Sequence, residues 1–598
     1  MAVTKMFGAS VKRREDPRMI TGRANYTDDV RLPGMLSMVI LRSPYAHARI
    51  KSINVEKARQ MPGVVAVYTG KDLVESLAPV PCAWLPPNSD LKVPEYRALA
   101  VDTVRYVGDG VAAVVAENRY QAQDAAAAIE VEYEMLPAVV DQEKATQAGA
   151  PQLYPDVPNN TAFVWRLAGG DIDAALRDAD VVVSQRLINH RLIPTAMETR
   201  AAVANYNPGS GELTLWCTSQ NPHIHRLLMS AVTGIPETKI RVISTDVGGG
   251  FGSKIPFYAG EMIAAAISKD LGRPVKWVED RRENFVATTH GRDHVDYVDI
   301  AAKQDGTITG IRVKAYANMG AYLSTAAPGV PTWLFGLMLS GPYKIPNISV
   351  EVHGVLTNTT PTDAYRGAGR PEATYILERM MDLVADRLGM DPVEIRRKNF
   401  IAKEEFPYTV ATTLEYDSGD YEAALNRALE IVGYEQFRKE QEAARQQGRL
   451  LGIGFSTYVE VCGLAPSQAA GAMGFQGGLW ESATVRVHPS GKVSVFTGSN
   501  PHGQGEETTF AQLVAEELGV PLDDIEIVHG DTGRIPFGMG TYGSRSTAVG
   551  GTALIYAARK VRDKGAKIAA HLLEVSPDDI VFDQGRYYVK GAPDRVKT

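Results

Sequence analysis

The chain has 598 residues, 44% of them hydrophobic and 22% charged, with a formal net charge of −7. At about 100–200 residues per domain this length predicts three or more domains with sizeable cores, and the acidic balance lacks the basic footprint that nucleic acid would need. The longest apolar runs, such as 262–267, fall far short of the roughly 20 residues of a membrane span; with no apolar segment before Lys12-Arg-Arg14, the expected compartment is the cytoplasm.

Residues 15–145 read as a compact α/β unit, with strand-like runs at 37–41, 64–68 and 110–115, a helix over 119–128 and a strand over 129–133. The Pro- and Asn-containing stretch 150–160 reads as a linker. Residues 160–415 alternate strands (181–187, 213–217, 240–245, 295–301, 311–317, 348–356) with helices (222–233, 257–271, 371–388), which predicts a mixed α/β domain. A charged helix over 434–447 reads as a solvated connector. The third unit, 450–598, carries a strand over 492–497 and a helix over 508–518, and no tandem repeat is evident along the chain.

Three isolated cysteines, Cys82, Cys217 and Cys462, cannot supply the four thiolates of an iron–sulfur cluster, and each reads as a small buried hydrophobe. His290, Asp293 and His294 have metal-like spacing only on a helix, which Gly291 weakens, and a third ligand is not evident. His223 and His225 belong to the start of the 222–233 helix.

The chemistry concentrates in glycine-bearing turns at helix entrances. Val247-Gly-Gly-Gly-Phe-Gly-Ser-Lys254 joins a strand to a helix, where glycines admit a ligand to the backbone and free N–H groups can hold an anion. Tight packing is its other reading, and its spacing fits neither a dinucleotide loop nor a triphosphate loop. Thr362-Asp-Ala-Tyr-Arg-Gly-Ala-Gly-Arg370, His502-Gly-Gln-Gly-Glu-Glu-Thr508 and Thr541-Tyr-Gly-Ser-Arg-Ser-Thr547 repeat the arrangement.

Together with Gly8-Ala-Ser-Val-Lys-Arg-Arg-Glu-Asp16, Tyr26-Thr-Asp-Asp29, Arg42-Ser-Pro-Tyr-Ala-His-Ala48 and Gln220-Asn-Pro-His223, these ordered motifs resemble the large, molybdenum-cofactor-binding subunit of the xanthine oxidase family. The resemblance implies an α/β (α+β) chain: an α/β hammerhead domain over 15–145, then molybdenum-cofactor-binding domains over 160–415 and 450–598, the second incomplete. It implies a metal held by a pterin dithiolene and not by side chains. Gln220 matches the glutamine beside the metal's apical oxygen, Gly249, Gly250, Phe251 and Gly252 the loop facing the cofactor, and Arg366 and Gly367 the active-site loop. His502, Gly503 and Gln504, with Gly543, Ser544 and Ser546, match turns that anchor the pterin and its phosphates. Gln220 and Arg366 are the implied catalytic residues, and molybdopterin cytosine dinucleotide the implied cofactor.

By the same resemblance the reaction is hydroxylation of an aldehyde or N-heterocycle with water as oxygen source. Electrons leave for 2Fe-2S and FAD centres on an iron–sulfur subunit and a FAD subunit, in an (αβγ)2 assembly. Three positions depart from relatives. Gly367 replaces the cysteine that anchors copper(I) in aerobic carbon monoxide dehydrogenases, giving the loop found in their "form II" relatives. Ile255 and Ala368 replace the glutamate and phenylalanine of purine hydroxylases, which argues against xanthine. The family's general-base glutamate lies in a Gly-Glu-Gly segment that does not follow Gly551, so a C-terminal part is expected to be missing; Glu506 and Glu507 are not promoted to that role. The alternatives are a truncated, non-catalytic cofactor-binding or scaffold chain, and a carbon monoxide dehydrogenase-like subunit without the copper-binding cysteine.

Overall fold

The structure is a computed structural model that describes residues 5–475 and 477–598. Its widest sheet has seven strands, in the order Ile240–Ile243, Glu212–Cys217, Ala201–Asn207, Val275–Val278, Leu36–Arg42, Gly110–Ala116 and Val64–Thr69. The all-apolar run of Gly110–Ala116 is buried at every position, as expected of a strand covered on both faces. Leu36–Arg42 pairs parallel to Val275–Val278, so strands from the first 120 residues and from beyond residue 200 share one sheet.

The segment 150–160 is not the loose linker expected from its prolines. Leu153, Tyr154 and Val157 are buried in the main core, and the Asn160 side chain accepts from Leu153 N–H while donating to the Ala145 and Pro151 carbonyls. A five-stranded sheet follows, ordered Thr161–Gly169, Ile348–Leu356, Ile308–Gly320, His294–Ala302 and Val181–Asn189, with the helix Arg370–Leu388 packed on it. Residues 452–466 lie along that helix as extended chain, outside the third sheet. Thr457 N–H donates to Glu378 at 2.7 Å, and Arg370 donates to Val461 O at 2.7 Å.

The third sheet, Ala483–Val487, Val493–Thr497 and Ile525–Val528, lies under helices Glu506–Leu518 and Thr552–Leu573. Here a dispersed duplication emerges. Strand Glu212–Cys217, Asn221-Pro-His223, helix Pro222–Thr233, Gly234, a turn at Glu237–Lys239, strand Ile240–Ile243 and Asp246 form one unit. Strand Val493–Thr497, Asn500-Pro-His502, helix Glu506–Leu518, Gly519, a turn at Leu522–Asp524, strand Ile525–Val528 and Asp531 repeat it in the same order. In both units the two strands pair in parallel. The units are stitched together by Ser244 N–H to Gly530 O (2.7 Å), Thr532 N–H to Val242 O (3.0 Å) and Asn500 Nδ2–H to Ser219 O (2.6 Å).

Helix Ala259–Leu271 begins two residues later than its apolar pattern suggested, with Glu261 buried at its first turn, 3.8 Å from His225. Burial pushes Glu261 up to about 8 and His225 down to about 4. The unfolded chain ionises Glu261 first, so this carboxyl makes stability fall as pH rises from about 4.5 to about 8. Neutral His225 acts oppositely, with stability lost as pH falls from 6.5 to about 4. Glu261→Gln should therefore remove part of the stability loss between pH 6.5 and 8. Thermal midpoints of both proteins across that interval measure it, and parallel curves would contradict the assignment.

Candidate functional site

Gln220 lies in the turn between strand Glu212–Cys217 and helix Pro222–Thr233 and is 2% exposed. Its side-chain oxygen accepts from Gly252 N–H at 3.0 Å, its amide nitrogen donates to Thr541 O at 2.9 Å, and its backbone carbonyl accepts from Thr541 N–H at 2.9 Å. One carboxamide thus joins the glycine loop to the 541 turn, with a second amide hydrogen uncommitted. A methyl at Gly250 would stand 2.5 Å from Gln220 Oε1, so that glycine makes room for the amide. The loop's start is clamped by Glu198, which accepts from Gly248 N–H at 2.7 Å and from the buried Lys254 ammonium at 2.8 Å.

The 364–367 loop lies against this one, with Arg366 N–H donating to Phe251 O at 2.9 Å. Buried Arg292 donates to Tyr365 O at 3.0 Å and to Arg366 O, and faces Glu372 at 3.5 Å. Gly367 has φ +98°, and a Cβ there would stand 2.3 Å from Pro371 Cγ. A side chain at 367 would require this loop to be rebuilt.

Helix Glu506–Leu518 starts two residues before the predicted boundary and carries Glu506 into the site. Gln504 Nε2 donates to Glu506 at 2.6 Å, and Thr541 Oγ1 donates at 3.1 Å. Burial pushes the Glu506 carboxyl up. Ser544 Oγ donates to Glu460, which pairs with Arg370 at 3.2 Å. Arg545, buried against Glu481 at 2.9 Å and donating to Gly540 O, braces the 541–546 turn.

These turns surround one cleft of about 1530 Å³. Every residue assigned to the site from sequence lines it except Gly250, which stands behind Gln220. Tyr365, Tyr458, Glu460, Met19 and Tyr26 also line the cleft and were not foreseen. Tyr458 and Glu460 come from the extended 452–466 segment, whose sequence gives no sign of what it lies against.

The metal-like trio is dispersed: His294 opens a strand, while Arg191 pairs with Asp293 at 2.6 Å and lies 3.2 Å from His290 Nδ1. Of the cysteines, Cys217 is buried and Cys82 half-buried, but Cys462 is exposed, contrary to expectation, because the extended segment carrying it runs along the surface.

The donor set suits an oxygen-rich, phosphorylated group. The amides of Gly249, Gly250 and Phe251 donate to no acceptor among the described residues, and His502 Nδ1 is buried without a partner. Burial pushes His502 down to about 4, so its ring is neutral at physiological pH.

A family model for the aldehyde oxidase and xanthine dehydrogenase a/b hammerhead domain matches residues 21–137, and models for molybdopterin cofactor-binding domains match 153–400 and 427–598. The large chain of carbon monoxide dehydrogenase from Hydrogenophaga pseudoflava is 44% identical over 98% of this chain and 74% of its own length. The chain is a molybdopterin-binding large subunit of the xanthine oxidase family. Solved structures agree with this family assignment. Carbon monoxide dehydrogenase from Oligotropha carboxidovorans superposes with a TM-score of 0.93 at 41% identity, covering 99% of this chain and 75% of that one. Quinoline 2-oxidoreductase from Pseudomonas putida 86 gives 0.95 at 37% identity, covering 100% and 75%. This molybdopterin-binding subunit is therefore a hammerhead domain followed by two cofactor-binding domains, and a molybdenum-containing oxidoreductase of the hydroxylase class.

Proposed function

We propose that the cleft holds the molybdopterin between the glycine loop, the 364–367 loop and the 502–504 and 541–546 turns, and that the subunit hydroxylates an aldehyde or an N-heterocycle. The observation that carries this reading is Gln220, whose amide locks two of these elements and still keeps one hydrogen for a ligand in the cleft. When bound, the cofactor supplies oxygen transfer and electron acceptance. The chain binds and orients: the amides of Gly249 and Phe251 face the ligand, neutral His502 offers a buried ring nitrogen, and Arg366 is held by its backbone beside Phe251. The carboxylates lining the cleft are Glu460, engaged by Arg370 and Ser544, and Glu506, engaged by Gln504 and Thr541. Neither is assigned as general base.

Ile255 and Ala368 both line the cleft and offer a substrate neither a carboxylate nor a second aromatic face, which disfavours a purine. Likeness to quinoline 2-oxidoreductase supports an N-heterocycle. We further propose division near residues 145–160 and 415–450, the cytosine dinucleotide form of the pterin, iron–sulfur and FAD partner subunits in an (αβγ)2 assembly, and a cytoplasmic setting. Among the described residues no helix is long and apolar enough to cross a membrane.

A second reading, oxidation of carbon monoxide, is favoured by the 44% identity to a carbon monoxide dehydrogenase. Against it, Gly367 gives copper(I) no thiolate at that position. Metal and pterin analysis of the purified complex, with aldehydes, N-heterocycles and carbon monoxide as substrates, decides among these. The expected result is about one molybdenum and one pterin per chain, with turnover of an aldehyde or heterocycle. Copper-dependent consumption of carbon monoxide would establish the second reading, and absence of pterin would leave a scaffold.

A further inference from the structure

The N-terminal segment crosses both units of the duplication. Against the second unit, Arg14 N–H donates to Thr508 Oγ1 at 2.8 Å, and that hydroxyl donates to Glu15 at 2.5 Å. Against the first, Asn25 N–H donates to Asp246 at 3.0 Å and Asp246 N–H to Asn25 O at 3.0 Å. Between these anchors lies Arg18. Its Nη2 reaches both Asp246 Oδ1 at 2.7 Å and Glu507 Oε1 at 2.6 Å, and its Nη1 reaches Glu507 Oε2 at 3.0 Å. Asp246 directly precedes the glycine loop, and Glu507 is the second residue after the 502–505 turn, in the first turn of helix Glu506–Leu518. Met19 and Tyr26, which follow Arg18 in this segment, line the cleft.

We propose that this strap is a positioning device in which Arg18 fixes the spacing between the glycine loop and the 502–505 turn, and so sets how firmly the cleft retains its phosphorylated pterin. The inference rests on the cofactor reading above. Two carboxylates, one from each unit, converge on a single guanidinium nitrogen, so without Arg18 they would repel each other. The fork of an arginine satisfies both at once, and a lysine offers only a point charge. Other groups reinforce the arrangement: His529 Nε2 lies 3.0 Å from Glu507, and Tyr26 pairs by its backbone with Asp246. Burial alone would push Glu507 up, but the bonds from His529 and Arg18 hold it down at about 2, so the clasp stays charged over the physiological range.

The test follows pterin release from the purified complex by fluorescence after oxidation, with the thermal midpoint measured in parallel. Arg18→Ala should release pterin at least about tenfold faster, with Arg18→Lys in between. Arg166→Ala breaks an exposed pair with Glu351 on the five-stranded sheet and should leave release at the wild-type rate. Should Arg18→Ala fail to fold, Asp246→Asn removes one arm of the clasp at nearly constant shape and should also accelerate release. Wild-type release in the variants that fold, or an acceleration equal to that of Arg166→Ala, overturns the proposal. A wild-type complex without pterin overturns the cofactor reading and this inference together, whereas wild-type pterin with unaltered release overturns this inference alone.

Discussion

Gly252→Ala is expected to give a folded chain that has lost most of its pterin. The added methyl would stand 2.2 Å from Ala364 O, at a φ of +102° that L side chains rarely adopt. Strain of this kind costs roughly 1–3 kcal/mol, and the clash with a backbone carbonyl has no flexible side chain to absorb it. Relief requires the 364–367 loop to move, and the bond from Arg366 N–H to Phe251 O ties that movement to the glycine loop. Because both loops face the cleft, the strain falls on ligand affinity, and roughly 1–3 kcal/mol corresponds to a loss of about 5- to 150-fold. Pterin per chain, read by fluorescence beside a circular dichroism spectrum, measures it. Gly452→Ala, in open space, is the control and should load normally. Full pterin occupancy in Gly252→Ala would place the cofactor elsewhere.

Gln220→Ala is the second large effect. Removing the carboxamide leaves Gly252 N–H and Thr541 O without their partners in a buried site, at roughly 1–3 kcal/mol for each unsatisfied group. It also removes the side chain's own uncommitted amide hydrogen, a donor of the kind whose loss lowers turnover by about 10²–10³-fold when it stabilises charge in the transition state. Pterin content and kcat should therefore fall together, with kcat per bound pterin down by about 10²-fold. Gln220→Glu separates the two roles: it keeps the acceptor for Gly252 N–H but turns a carboxylate oxygen toward Thr541 O, and should lose pterin through repulsion at the 541 turn. Wild-type kcat per bound pterin in Gln220→Ala would remove Gln220 from the reacting centre.

Much of the site was legible because it is made of backbone. Turns such as 248–252 and 502–505 need glycine wherever they occur, and each was marked by a strand before it and a helix after it, whose patterns are local. Helix Pro222–Thr233 was readable to its ends, from Pro222 at its first turn to left-handed Gly234 after its last. Elements read less well where distant packing decides. The 150–160 stretch has the composition of a linker, yet Leu153, Tyr154 and Val157 enter the core. Residues 453–461 alternate apolar and polar positions as a strand would, yet they join no sheet, because their partners are the side chains of Glu378 and Arg370 and not a neighbouring strand. The duplication leaves no fixed period in the sequence because the repeated units lie far apart and share chiefly turn residues, Asn-Pro-His and Gly-x-Pro.

The sequence by itself determined which turns could approach a phosphorylated ligand and which chemistry the chain lacks: there is no thiolate at 367 and no glutamate at 255. Such properties belong to single residues and their immediate neighbours. Only the tertiary structure decided that Gln220 would join turns some 30 and 320 positions away, that Arg18 would bind one carboxylate from each unit, and that Leu36–Arg42 would pair with Val275–Val278. Those choices depend on which hydrogen-bonding partner remains once the sheets have packed, and side-chain periodicity along one strand or helix carries no record of it.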